Sequence, residues 1–283
     1  MSCVGELPKL DAAIFADTQW EPKAVYRYFD FLKCEAESHG ISVYKVTRGD
    51  LRADAIEFRQ SGGKGSGNPG NKRRASMPFF VKNPDGSVGL INRQCTSEYK
   101  IEPVGRFIRR ELLGLKPGQR APADSCRHWF GIAQDETYRV RTSTEAWQSF
   151  YYPLITTALS LRQDTLFGRG FDRQDCLDWI ESHGYPKPPR SACIGCSFHS
   201  DEEWIDMREN RPEECADAVA FDHAIRTADA SLIADGTKLQ GRLVGLPYLH
   251  RSCVPLDEVM FVDNPQAAHV YGMGNECLGM CGV

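Results

Sequence analysis

The opening of the chain does most to limit its fold. Asp11-Ala-Ala-Ile-Phe-Ala-Asp17 is a short apolar run closed by a polar residue, the pattern of a strand buried on both faces of a parallel sheet. Behind it Pro22 suits a first helical turn, Val25, Phe29, Leu32 and Ala36 recur at helical spacing, and Gly40 supplies a stop. Ile41 to Val46 then reads as a second strand. Strand, helix, strand is the crossover unit that parallel pairing requires, so the expected class is α/β.

Further along, Leu51 to Arg59 can form a helix, and Gln60 to Ala75, rich in Gly, Ser, Lys and Arg, is expected to be a basic, mobile loop. Ser61-Gly-Gly-Lys-Gly-Ser66 within it looks like a phosphate-cradling loop. Such a loop works only where a helix N-terminus follows, and GNPGNKRRAS cannot start one. MPFFV and SVGLI around Asp85-Gly86 predict a hairpin. A helix follows Pro103 and stops at Gly114, and His128 to Ala133 reads as a strand. Asp172 to Gly184 has a helical period, Pro212 divides two further helices, and the tail from Ala230 onward is irregular. There is no internal repeat.

The 283 residues allow a substantial core, and 41% apolar with 25% charged residues is ordinary for a globular protein. A net charge of -4 excludes a generally basic nucleic-acid coat but leaves room for a local basic groove. Met1 to Leu10 does not read as a signal peptide and no run reaches membrane-spanning length, so the expected location is cytoplasmic. In a reducing compartment the 11 cysteines are not a disulfide framework. Cys34, Cys126, Cys176, Cys215 and Cys253 sit without ligand-like spacing and read as small buried hydrophobes. Cys193-Ile-Gly-Cys196, with His199 three residues on, is the pair with chemical spacing.

Five segments carry a resemblance: IFADTQWEP, RQCTSEYKIEP, GIAQDETYR, YYPL and SACIGCSFHSDEEW. Their order, from about residue 10 to about residue 205, resembles the phosphoadenosine phosphosulfate reductase family of the adenine-nucleotide α-hydrolase-like group. The resemblance implies a mostly parallel, twisted five-stranded sheet flanked by helices, binding an adenine nucleotide, ATP or phosphoadenosine phosphosulfate, at the strand C-termini. Residues 1–160 would form the nucleotide-binding α/β part, and residues 161–283 a helical, Cys-x-x-Cys-bearing region packed on the same domain. In that family a strand and phosphate loop precede the strand ending in Asp-Thr; MSCVGELPKL contains neither. Either the true start lies upstream or this is a truncated relative. An extended form is expected to be the more stable.

By the same resemblance Cys95 pairs with the distant Cys193 and Cys196 in iron–sulfur members. Three thiolates would hold a [4Fe-4S] cluster with one iron open, unless Cys277 or Cys281 closes it. Zinc bound by those cysteines and His199 is an alternative, as are a redox dithiol and inert buried thiols. Glu276-Cys277 resembles the nucleophilic cysteine segment of cluster-free reductases, although Leu278 replaces the expected Gly. Asp17 and Thr18 end the first strand and are expected to touch the adenosine, while Arg93, Lys100 and Arg139 would neutralise phosphate or sulfate oxygens. Asp135 and Glu136 would hold magnesium or order Arg139. The implied chemistry is sulfur reduction, with a reductant protein such as thioredoxin, or ATP-dependent thiolation of tRNA or DNA, for which Lys64 to Arg74 would suit the nucleic acid. A metal-stabilised, non-catalytic binding subunit is the third reading.

Overall fold

The computed structural model describes residues 1–57, 77–155, 170–227 and 245–262, with the backbone of 59–60, 72–73 and 228–234. The chain is mixed α/β. Strand β1 (Ala12–Asp17) passes through helix α1 (Lys23–Ser38) into β2 (Ser42–Thr47), and the strands pair in parallel from Ala12 opposite Ser42 to Asp17 opposite Thr47. Gly40 has φ +70°, the left-handed exit that the sequence predicts for the end of α1. Helix α2 (Leu51–Ile56) is capped by Asp50, whose side chain accepts from the Ala53 N–H at 3.0 Å, and it ends earlier than Arg59 because Glu57 turns extended.

Backbone strands β3 (Arg59–Gln60) and β4 (Lys72–Arg73) pair antiparallel. The predicted hairpin is present as β5 (Phe80–Lys82) and β6 (Val88–Leu90), turned at Gly86 with φ +84°. The hairpin gains a third antiparallel strand from far along the chain, β9 (Leu246–Tyr248).

The segment expected as a strand over 128–133 forms its ladder earlier, as β7 (Cys126–Trp129). The chain then turns through the short 3-10 helix Gln134–Arg139 and returns as β8 (Gln148–Tyr151), which pairs in parallel with β7. The described strands therefore form two parallel pairs, one antiparallel three-stranded sheet and the small β3–β4 pair. They do not join into the single five-stranded sheet that the family resemblance implies.

Helix α3 (Glu102–Phe107) is flanked by wider π-helical turns, Thr96–Ile101 and Ile108–Leu112. Pro103 has no N–H to give the preceding turn, and the backbone widens there: the Glu102 N–H reaches back five residues to the Ser97 carbonyl. Helix α4 (Arg173–Ser182) starts at an Asp172–Asp175 capping box, and α5 (Asp201–Asn210) at a Ser200–Glu203 box. Pro212 opens α6 (Pro212–Ala234), the division that the sequence predicts. Among the described residues no helix is long and apolar enough to cross a membrane.

The largest core cluster draws on distant stretches, including Trp20, Leu51, Tyr99, Cys193, Trp204 and Phe221. A second joins the β1–β2 pair to α3 through Ala16, Val46, Val104, Ile108 and Trp147.

Candidate functional site

The loop after β1 and the Cys-x-x-Cys segment lock together. The Ile194 N–H donates to the Trp20 carbonyl at 3.0 Å, and the Trp20 indole N–H donates to Asp217 at 2.6 Å. Gly195 abuts the outer edge of the Trp20 ring: a Cβ there would come within 2.1 Å of it, so no larger residue fits between the cysteines at this position. The turn is closed by two donors on the Cys193 carbonyl, the Cys196 N–H and the His199 Nε2–H, each at 3.0 Å. His199, the candidate fourth zinc ligand, is buried, lies edge-on to Trp204, and has its other nitrogen 3.6 Å from Glu203. Its Nε2 holds the loop, and the ring is not among the groups that line the cavity with the thiols.

This segment forms one wall of a cavity of about 560 Å³. Cys193 and Cys196 line it together with Cys95, which sits at the start of the π-helical turn, and Thr18 at the end of β1. Six cations also face it: Arg93, Lys100, Arg139, Arg173, Lys187 and Arg190. Among the described residues no carboxylate lines this space. Arg93, Lys100 and Arg139, read from the sequence as anion-binding, thus arrive at one place with the three cysteines. Asp17 does not line the cavity. Its Oδ1 accepts from the Gln19 N–H at 2.7 Å and the Tyr26 hydroxyl at 2.8 Å, which fixes the turn after β1.

Sequence reasoning missed Glu21, buried between Thr18 and Lys100. Its Oε1 accepts from the Thr18 hydroxyl at 3.0 Å and lies 3.6 Å from the Cys193 Sγ and 3.8 Å from the Lys100 Nζ; its Oε2 is buried with no partner among the described residues. The Thr18 hydroxyl is also 3.3 Å from the Cys193 Sγ. Burial and then Glu21 push the Cys193 thiol well above the ordinary cysteine range. Burial and the neighbouring Cys196 push Cys95 up to about 11. Cys196 is raised as well, chiefly by burial. Burial works to lower Lys100, but Glu21 and the three thiols outweigh it, and the ammonium is held above its usual value.

The opposite wall comes from α4 and the segment after it. Cys176, set aside in the sequence for want of spacing, faces the same cavity beside Leu177 and Ile180. Burial and then Asp175 and Asp135 push its thiol up to about 11. Glu136 is buried and committed to arginine: it accepts from the Arg139 Nη1 at 2.6 Å and lies 3.7 Å from Arg173. Glu136 thus orders Arg139. Glu276, Cys277 and Cys281 lie outside the described residues, as does the basic stretch Lys64 to Arg74 apart from the backbone of Lys72–Arg73 in β4.

The donor set fits a thiolate-bound group. Three thiols meet at one cavity, and the backbone N–H groups of Thr96 and Phe198 favour the thiolates of Cys95 and Cys196. Lys100 would offset the negative charge of those thiolates. Among the described residues no three His, Cys, Asp or Glu side chains are already drawn around a single ion, so the thiols would close on a metal and lose their protons as they bound it. Comparison with family models, curated proteins and solved structures gave no match.

Proposed function

We propose that the chain binds an adenine nucleotide bearing a phosphate or sulfate end in this cavity. Cys95, Cys193 and Cys196 would hold an iron–sulfur cluster beside it, for reduction or transfer of sulfur. One observation carries the reading: cysteines nearly a hundred residues apart meet in a single space with six cations and no lining carboxylate among the described residues. A bound cluster supplies electrons, or an open iron able to carry sulfide.

The chain's own residues do the rest. The arginines grip anionic oxygens, with Arg139 and Arg173 braced from behind by Glu136. Met77 and Phe198 narrow the apolar side of the space, and Arg93 lies 5.6 Å over the Phe198 ring.

Iron, acid-labile sulfide and zinc per chain after anaerobic purification test the cluster, in wild type and Cys95→Ala. Near-equal iron and sulfide, lost in the variant, is the expected result; zinc without sulfide overturns it. Calorimetric titration with phosphoadenosine phosphosulfate or ATP tests the anion site. Arg139→Glu is expected to weaken binding at least tenfold, and unchanged binding would remove the anion reading. Release of sulfite marks a reductase. Pyrophosphate released from ATP only with nucleic acid present marks a thiotransferase.

A further inference from the structure

The turn that follows β9 brings a serine, a histidine and an aspartate into line. The His250 Nδ1 lies 2.7 Å from the Ser252 hydroxyl, and its Nε2 lies 3.1 Å from the Oδ1 of Asp201, the first residue of α5. Ring and carboxylate are buried, at 5% and 7% exposure, whereas Ser252 is exposed. The Phe261 ring packs edge-on against the imidazole at 5.6 Å.

The backbone fixes the direction of these bonds. The Ser252 N–H also donates to the His250 Nδ1, at 3.2 Å, so that nitrogen carries no proton. The ring proton is then on Nε2 and is given to Asp201, and the Ser252 hydroxyl donates to the free nitrogen. Asp201 also accepts from the Val262 N–H at 3.1 Å and lies 2.7 Å from the Arg251 guanidinium. Burial opposes its charge, but these partners outweigh it and hold the carboxyl below its usual range. Burial, helped by Arg251, lowers the histidine against the pull of Asp201 and Asp222, which leaves the imidazole neutral at pH 7.

Two other serines mark the difference. The hydroxyls of Ser38 and Ser182 also lie near a histidine Nδ1, at 3.1 Å in His39 and 3.2 Å in His183. In both, that Nδ1 faces a backbone carbonyl, of Glu35 at 2.9 Å or of Trp179 at 2.8 Å, and the serine donates to the same carbonyl. Those rings already hold a proton on Nδ1 and cannot take the serine's.

A purely structural His250–Asp201 pair would need no hydroxyl, since the Ser252 N–H already serves Nδ1 and an exposed hydroxyl can turn to water. Here the hydroxyl points at the ring. Cys253, the next residue, has φ +52°, a left-handed conformation that only glycine adopts freely, and its N–H closes the turn on the His250 carbonyl at 3.0 Å. Backbone strain of this kind persists where the surroundings fix it, and functional sites are common among such places.

We propose that Ser252 is a nucleophile toward activated acyl esters, with His250 as its general base and Asp201 as the residue that positions the imidazole. The Ser252 Oγ bonds to the acyl carbon, its proton passes to the His250 Nδ1, and the ester C–O bond breaks. The proton then leaves with the alcohol or to water, and a water molecule frees the acyl group by the same path. None of the three residues lines the thiol cavity, so this site needs neither the nucleotide nor a cluster.

p-Nitrophenyl acetate is the probe, and peptide mass spectrometry after an acid quench reads the acetyl group serine by serine on the full chain. Ser252 should be acetylated about a hundredfold faster than Ser38 or Ser182, the scale of general-base assistance. Equal rates at the three serines overturn the proposal. That comparison is made within the wild-type protein and does not depend on any variant folding. Ser252→Ala should melt with the wild type and lose the fast acetylation, and His250→Gln should bring Ser252 down to the rate of the other two. An imidazolium cannot accept a proton, so the Ser252 rate should fall as the pH drops through the histidine's value. Asp201→Asn removes a charge that holds that value up and should move the fall to lower pH. A fall that stays in place removes Asp201 from the relay.

Discussion

The two walls of the thiol cavity are built in opposite ways. The wall from Cys193 to His199 is rooted in the core. Trp20 packs against Gly195 on one side and meets Phe221 edge-on at 4.4 Å, and Ile194 and Trp204 belong to the same cluster. Helix α4, across the cavity, buries none of its residues. It is tied by surface pairs: the Trp179 indole N–H donates to Glu6 at 2.7 Å, His183 lies 3.5 Å from Glu6, and the Tyr185 hydroxyl just beyond it donates to Glu35 at 2.7 Å. Cys193 and Cys196 are therefore fixed, while Arg173 and Cys176 ride on an element that contributes little to the core. Elements with few buried apolar contacts open at lower free energy than the global transition. Amide exchange should be slow across 193–199 and faster across α4.

The sharpest break falls on the fixed wall. Gly195→Ala would drive a methyl group into the Trp20 ring, and neither the ring nor the Cys-x-x-Cys backbone can retreat without moving the core. A cost of about 3 kcal/mol is expected from such overpacking, read as a lower denaturant midpoint. A cost below 1 kcal/mol would mean that the wall is not rooted as described.

A smaller effect on the same wall comes from Glu203. It accepts from the Ser200 N–H at 2.8 Å, lies 3.6 Å from His199 and pairs with Arg190; burial opposes its charge, but His199 and then Arg190 hold its carboxyl down at about 2. With an unfolded value of about 4.3, its contribution is fully present above that pH and is lost as pH falls toward 2. Glu203→Gln should cost about 2 kcal/mol at neutral pH, and the gap from wild type should close on acidification. A gap that stays constant from pH 7 to pH 3 would show that the charge is not what Glu203 contributes.

Much of this was legible in the sequence where the signal is local. The β-α-β opening follows from apolar periodicity, Pro22 and Gly40, and the hairpin from Asp85-Gly86 between two apolar runs. Cys193 and Cys196 stand out because their spacing is itself the signal. The rest depends on which segments meet. Glu21, before a proline, reads as an ordinary loop carboxylate, and only the approach of Thr18, Cys193 and Lys100 makes it a buried partner. Cys176 has no spacing to notice because a different helix brings it to the cavity. His199 has ligand spacing, yet the tight turn that makes that spacing also aims its Nε2 at the Cys193 carbonyl. Strand β8 was hidden because Gln148–Tyr151 is four residues long and finds its partner in β7 rather than in a neighbouring run.

The smallest expected effect tests the loose wall alone. The Asp172 Oδ1 accepts from the Asp175 N–H at 2.8 Å, and the Asp175 side chain returns the bond to the Asp172 N–H at 3.1 Å. Removing such a cap costs a helix about 1 kcal/mol. If α4 opens separately from the core, Asp172→Ala should leave the global denaturant midpoint nearly unchanged while its amides exchange about fivefold faster. Anion binding that engages Arg173 should then restore part of the lost protection. If the midpoint instead falls by the full amount and α4 exchanges with the core, the helix belongs to the same cooperative unit as the Cys-x-x-Cys wall. The two walls would then move together, and Cys176 would be held as firmly as Cys193.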